Sequence, residues 1–484
     1  MQAASRSAVP REESLLRNLA VAAGLGWSLA FVIVALTYEL QLYADGAMFS
    51  YAVAAQDVWA FHWHNIAHRV SVFFLTLWPA ETYVGLTGHP HGGIVVYGLL
   101  FNIAPLIGLA WTFIADRSRN RAIFAFACGS TALLCPLIFG FPTEMWMAHA
   151  LFWPSLALGH HARPGVPGAA ALSIAMVGLV LTHESGIVLA FVVVATLALH
   201  GLRHPLFVRG AIMLFGAMTL WIIVKVVYPP DDYFAGVLVR AGLRFFDPAI
   251  FQVNLVALLI VVLVGYVLFF LALSRVMAVE TALLAALAVS TIALLIYWLQ
   301  FDHWIHASNR YYLRTTLVVI TPAFGVLSAV YAMRGDGAPV NCPHLLQIAK
   351  FLSSVRVIRA CTGAIILCTA IHVVQTAKFV TDWTAYKAAV RALALGSASD
   401  PALGDPRFVS SQRISPELNQ LSWFSTVEYL SIIVSDFKPA RVVVDPAGNY
   451  FWLSCGTATE NAKATRTVPM PARDLVRIYS CLHR

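Results

Sequence analysis

Apolar residues gather into long uninterrupted runs along this chain, and polar residues are confined to the segments between them. Runs with helical length and few charges fall at about 18–40, 93–115, 122–141, 145–160, 168–183, 185–201, 209–229, 251–273, 281–300, 314–333 and 357–378. A hydrocarbon layer about 30 Å thick needs about 20 apolar residues per helix, so each run is a candidate span. The pattern predicts an all-α polytopic membrane protein with about 11 transmembrane helices. A further apolar stretch, about 70–86, is broken by Pro79 and carries Glu81.

Composition agrees with this reading. Of 484 residues, 59% are hydrophobic and only 12% charged, outside the range of soluble domains. The charge bias sets the threading, because short loops rich in Lys and Arg stay cytoplasmic. The N-terminus holds Arg6, Arg11 and Arg17, the next basic loop Arg117, Arg119 and Arg121, and later loops Arg163, Arg203, Arg209, Arg275, Arg334, Lys350, Arg356 and Arg359. All are inside only if 93–115 crosses and 70–86 lies along the outer interface or re-enters. This predicts a cytoplasmic N-terminus (1–17), a transmembrane module (18–378) and an extracytoplasmic C-terminal domain (379–484). That tail reads as α+β, with a helix around Trp383–Leu395 and strands at Arg441–Asp445 and Tyr450–Ser454. The first helix reads as an uncleaved anchor, since no small-residue cleavage pattern follows it. The setting matches a bacterial inner membrane, and the net charge of +8 points to anionic membrane lipids, with no nucleic acid partner.

Of seven cysteines, Cys128, Cys135, Cys361 and Cys368 fall in spans and Cys342 in an inside loop. Cys455 and Cys481 share the tail, where one disulfide or two free thiols are the alternatives.

The candidate chemistry lies on the outer side. The loop 41–92 is long and aromatic, and reads as two interfacial helices. It carries Asp45 and Asp57, each of which could also be a solvated helix-end acid. His64 and His68 share a helix face at a spacing of four and are the only metal candidates, for a possible divalent ion; headgroup contact by an amphipathic helix that also holds Trp63 and Arg69 is the other reading. His89 and His91 mark a turn. Glu144 starts a helix, as a dipole cap or a site group. His183 and Glu184 lie at a turn near the hydrocarbon edge, where ionisable groups are costly and usually functional. Lys225 stands near a span end. Arg240 and Arg244 oppose the inside-positive bias, as do Arg310 and Arg314, which share a segment with His303, His306, Tyr311 and Tyr312. Guanidinium groups are matched to phosphate oxygens, so Arg240 with Arg244, and Arg310, are candidates for an anionic ligand, an interfacial aromatic belt being the other reading of the Arg310 segment.

This layout resembles the GT-C superfamily of integral-membrane glycosyltransferases, such as protein mannosyltransferases and lipid A aminoarabinose transferases. Asp45 matches their acid after the first span, Glu144 the acid of the second outer loop, and Arg310-Tyr311 the late motif before a Pro-containing span, here at Pro322. The family often has two adjacent acids in the first loop, whereas Gly46 follows Asp45; Asp57 is the substitute. The resemblance covers most of 1–378 and implies transfer of a sugar from a polyprenyl-phosphate donor to a lipid or glycan acceptor outside, by a single inverting displacement. In it Asp45 is the catalytic base, Arg310, His306 and Arg244 hold the donor phosphate, and Asp57, Glu144, His183 and Glu184 contact substrate. Competing readings are a polysaccharide polymerase or O-antigen ligase, whose large loop usually comes late, and a lipid or solute transporter, which usually shows inverted repeats. A haem or metal oxidoreductase, suggested by 16 histidines, would need paired rings in facing spans, and His149, His200 and His372 are the main cases.

Overall fold

The computed structural model describes residues 2–56, 69–134, 144–162, 165–229, 254–300, 310–396, 408–422 and 426–445, together with 236, 239, 242 and 243. At 2–10, 254–256 and 310–316 only the backbone is described. Asp57, His64, His68, Cys135, Arg163, Arg240, Arg244, His303, His306, Cys455, Cys481 and the expected strand at 450–454 lie outside the described residues.

Among the described residues the apolar segments are helical. The helices are α1 (Gln2–Thr37), α2 (Asp45–Ala54), α3 (Val70–Val72), α4 (Trp78–Thr87), α5 (Pro90–Asn102), α6 (Ala104–Ala115), α7 (Ala122–Leu134), α8 (Glu144–His161), α9 (Val166–Val180), α10 (Glu184–Leu197) and α11 (Pro205–Val227). Then come α12 (Asn254–Leu273), α13 (Val279–Gln300), α14 (Arg310–Gly335), α15 (Pro343–Leu352), α16 (Val355–Leu395), α17 (Pro416–Asn419) and α18 (Val427–Val434). Each of the eleven apolar runs overlaps one of these helices or, at 93–115, the pair α5–α6. Among the described residues five helices are long and apolar enough to cross a membrane, and a sixth span results if α5 and α6, bent by 41°, count as one. The helices at 122–134, 166–180, 184–200 and 257–273 are apolar but shorter.

The stretch 70–86 is also helical, with α3 passing through a π turn at Phe73–Leu77 into α4, and Pro79, the second residue of α4, follows that turn. Phe74, Leu75, Trp78 and Leu86 are exposed along it.

Ion pairs and caps define two ends of the helix assembly. At one end Asp116 accepts from the Ser118 N–H (2.9 Å) and the Phe124 N–H (2.9 Å), capping α7. His161 at the end of α8 lies 3.7 Å from Asp116 and 4.0 Å from Asp336 just beyond α14. Arg17 of α1 and Arg359 of α16 belong to this end as well, through Asn120 and Glu12. At a rise of about 1.5 Å per residue, α8 and α14 run from there to an opposite end, where Glu144 and the backbone of Arg310 sit.

The C-terminal part is built on that opposite end. Helix α16 passes residue 378 unbroken and carries a small layer formed by the parallel strands β1 (Phe408–Ser410) and β2 (Val442–Val444) with α18. The Trp383 indole and Lys387 both donate to the Tyr38 carbonyl (3.1 and 2.8 Å), and Tyr43 packs edge-on against Phe379 and Trp383. Tyr429 of α18 meets Tyr51 of α2. The Asp445 N–H donates to the Glu428 carboxyl, buried under α2. Burial, with Asp445 adding to it, pushes this acid up from 4.5 to about 8, although two backbone N–H groups pull it down.

A carboxyl raised on folding favours the fold while protonated, so its contribution is complete below pH 4.5 and lost as pH rises through about 8. Limited proteolysis of the solubilised protein is expected to cut residues 408–445 faster at pH 9 than at pH 5. Glu428→Gln should flatten that slope; a slope unchanged in the variant excludes Glu428 as its source.

Candidate functional site

Three segments far apart in sequence meet at one guanidinium. Arg69 precedes α3, Glu144 opens α8 and Glu184 opens α10. The Arg69 Nη1 donates to Glu144 Oε1 at 3.1 Å, and its Nη2 donates to Glu184 Oε2 at 2.7 Å. All three side chains are largely buried, at 13%, 10% and 19% exposure. Burial by itself would lower the Arg69 pKa, but the two carboxylates outweigh it and hold the group more firmly charged. Each carboxylate also stands at a helix N-terminus, where the backbone dipole favours negative charge.

Local sequence explains the placement. His183 is the N-cap of α10: its Nδ1 accepts from the Ser185 N–H at 3.0 Å, leaving the proton on Nε2, which lies 3.6 Å from Glu184 Oε2. Gly186 allows the turn, since a Cβ there would stand 2.1 Å from the Leu179 carbonyl oxygen of α9. The Ser71 N–H donates to the Leu181 carbonyl at 3.1 Å, a second tie between the first loop and this turn.

Asp45 belongs to the same end of the molecule. It is the first residue of α2, preceded by Ala44 at φ 52°, ψ −130°, a region that non-glycine residues seldom occupy. The charges of Asp45 and Glu144 both reach the Tyr97 hydroxyl on α5. That hydroxyl is buried and has no hydrogen-bond partner among the described residues.

Of the residues expected at the site, Glu144, His183 and Glu184 are brought together, and Asp45 begins α2, whose Phe49 packs edge-on against Tyr97 of α5 at 6.4 Å. Arg310 begins α14 at the same end, and its side chain is outside what is described. Asp57, Arg244, His306, His64 and His68 lie outside the described residues. Among the described residues no three metal-binding side chains gather. Two side chains central to the geometry, Arg69 and Tyr97, escaped the sequence reading. The signal for Arg69 was present, because an arginine in a loop expected outside opposes the inside-positive bias, as at Arg310. Tyr97 lies in an apolar run with no such mark. Of the histidines considered for haem, His149 bonds Ser130 (3.1 Å) and accepts from the Trp153 indole (3.2 Å), and His372 donates to the Leu133 carbonyl (2.8 Å).

Removing the guanidinium strands two carboxylates. Arg69→Met is expected to destabilise the protein by about 3 kcal/mol, read as a lower melting temperature in detergent. Adding Glu144→Gln and Glu184→Gln should recover more than half of that loss; no recovery rules out charge pairing as the cause. Gly186→Ala should cost about 2 kcal/mol by overpacking against the α9 backbone, measured the same way.

No protein-family profile, no curated protein and no solved structure matches this chain.

Proposed function

We propose that this protein is an integral-membrane glycosyltransferase of the GT-C kind, which moves a sugar from a polyprenyl-phosphate donor to a lipid or glycan acceptor. The observation that carries the reading is the gathering of Glu144, His183 and Glu184 around Arg69 at the end of the bundle where α2 begins with Asp45. An enzyme working on a lipid-linked substrate needs charged groups at the membrane boundary, held by partners so that they survive partial desolvation.

In this mechanism Asp45 takes the proton from the acceptor hydroxyl as it attacks the anomeric carbon. The bond from that carbon to the phosphate oxygen breaks, and the anomeric centre inverts. Arg310, with His306 and Arg244, neutralises the departing polyprenyl phosphate. Arg69 fixes the carboxylates of Glu144 and Glu184, and these with His183 and Asp57 hold sugar hydroxyls. Tyr97, between two acids, supplies a hydroxyl to the same pocket. A divalent ion, if used, would fall to His64 and His68 or to the acids.

The proposal includes the full threading: eleven spans, a cytoplasmic N-terminus, and residues 379–484 on the periplasmic side of a bacterial inner membrane. The shorter apolar helices then cross with help from flanking turns, and the exposed aromatic residues of 70–86 rest in the outer headgroup region.

A transfer assay with a radiolabelled polyprenyl-phosphate sugar tests the site. Asp45→Asn should lower kcat by at least 100-fold, and Arg310→Ala should lower kcat/KM by a similar factor. Parental rates in both variants, or cysteine labelling that puts residue 45 on the same side as Arg117, overturn the proposal.

A further inference from the structure

Helix α15 (Pro343–Leu352) links the ends of α14 and α16, whose apolar parts are both long enough to cross a membrane. It lies at the arginine-rich end of the bundle, beyond Arg334, and is held on one side only. The Tyr331 hydroxyl of α14 donates to the Ala349 carbonyl at 3.0 Å and bonds the Ser353 hydroxyl at 3.0 Å, and Ala349 is fully buried. Upstream, the Asn341 N–H donates to the Leu199 carbonyl at 2.9 Å, next to the turn at Gly201.

The rest of the helix surface is more open. Ile348 and Phe351 are 47% and 67% exposed, and Leu202 on the adjoining turn is 69% exposed. His344 lies between Ile348 and Phe351 on the exposed face, at i and i+4, i+7 spacing, Gln347 borders them, and Lys350 stands farther round the helix, while Arg356 follows, also exposed, in the first turn of α16. Two of the charges nearby are engaged within the protein. Arg359 pairs with Glu12 and Glu280, and Asp336 accepts from the Arg119 N–H at 2.8 Å. Lys350 and Arg356, by contrast, are exposed and make no ion pair among the described residues. A helix that exposes Ile348 and Phe351 with a lysine at its edge and an arginine just beyond it, fixed between two span ends, lies at the boundary of acyl chains and headgroups.

We infer that α15 is a membrane-surface helix whose Phe351 and Ile348 enter the acyl region while Lys350 and Arg356 bind the headgroups of anionic phospholipids. The covering partner is lipid because the two neighbouring spans hold the helix at membrane depth, and the two unpaired cations select anionic headgroups over zwitterionic ones.

Two measurements on the full chain test this. In native mass spectrometry from micelles holding equal phosphatidylglycerol and phosphatidylcholine, the parent should retain mainly phosphatidylglycerol. Each basic residue at an anionic surface is worth about fivefold, so Lys350→Glu with Arg356→Glu should cut the retained ratio by about 25-fold or more. In membranes, the photoreactive variant Phe351→p-benzoylphenylalanine should gain the mass of one phospholipid on irradiation. An unchanged lipid ratio in a folded double variant overturns the inference, and so does cross-linking of position 351 to another protein. If the double variant fails to fold, the cross-link alone decides.

Discussion

The bond pattern of Arg69 is the constraint on which one end of this molecule depends. One guanidinium stands between Glu144 and Glu184 and so joins the first loop to the starts of α8 and α10. Placing three charges in a largely buried position costs several kcal/mol per ion. Attraction at these distances, about 4 kcal/mol per pair at an effective dielectric near 20, offsets that cost only because Arg69 donates to both acids and each acid sits on a helix N-terminus. Such an arrangement contributes little net stability and a great deal of specificity: no other cation among the described residues could replace the fork without breaking the geometry.

That fixed point is supported from below by the layer on α16. Tyr43, one residue short of the strained Ala44, is clamped by Phe379 and Trp383, and Tyr51 further along α2 meets Tyr429. Asp45 is therefore held at both ends of its helix by aromatic contacts that involve residues more than 300 positions later. A protonated Glu428 beneath α2 lets this layer close without burying another charge. The first loop thus depends on the C-terminal part for its position, and the two are one structural unit at this end.

The opposite end obeys a different logic. There the acids serve the backbone: Asp116 caps α7, and Asp336 takes the Arg119 N–H. Basic residues outnumber the acids, and Lys350 of α15 and Arg356 at the start of α16 are exposed with no ion pair among the described residues. Arg359 still ties α1 and α13 to α16 at this end, through Glu12 and Glu280, so charge joins segments at both ends and at this one also faces the surroundings.

Much of this was legible in the residues alone. Apolar run length located the helices, because a hydrocarbon layer sets that length and hydrogen bonding forces the helical form. The strand at 442–444 and the helix through 383–395 followed from local pattern, and the acids at Glu144 and Glu184 stood out because ionisable groups are rare beside apolar runs. Local pattern could not tell that Arg69, in a stretch that reads equally as an interfacial helix, would be the partner of both, since its two acids lie 75 and 115 residues away. Tyr97 was invisible for the same reason, an apolar position in a span until folding sets two carboxylates near its hydroxyl. The chain's alphabet specified which segments are helical and which groups are costly to bury; only the packing of distant segments decided which of those groups share a charge.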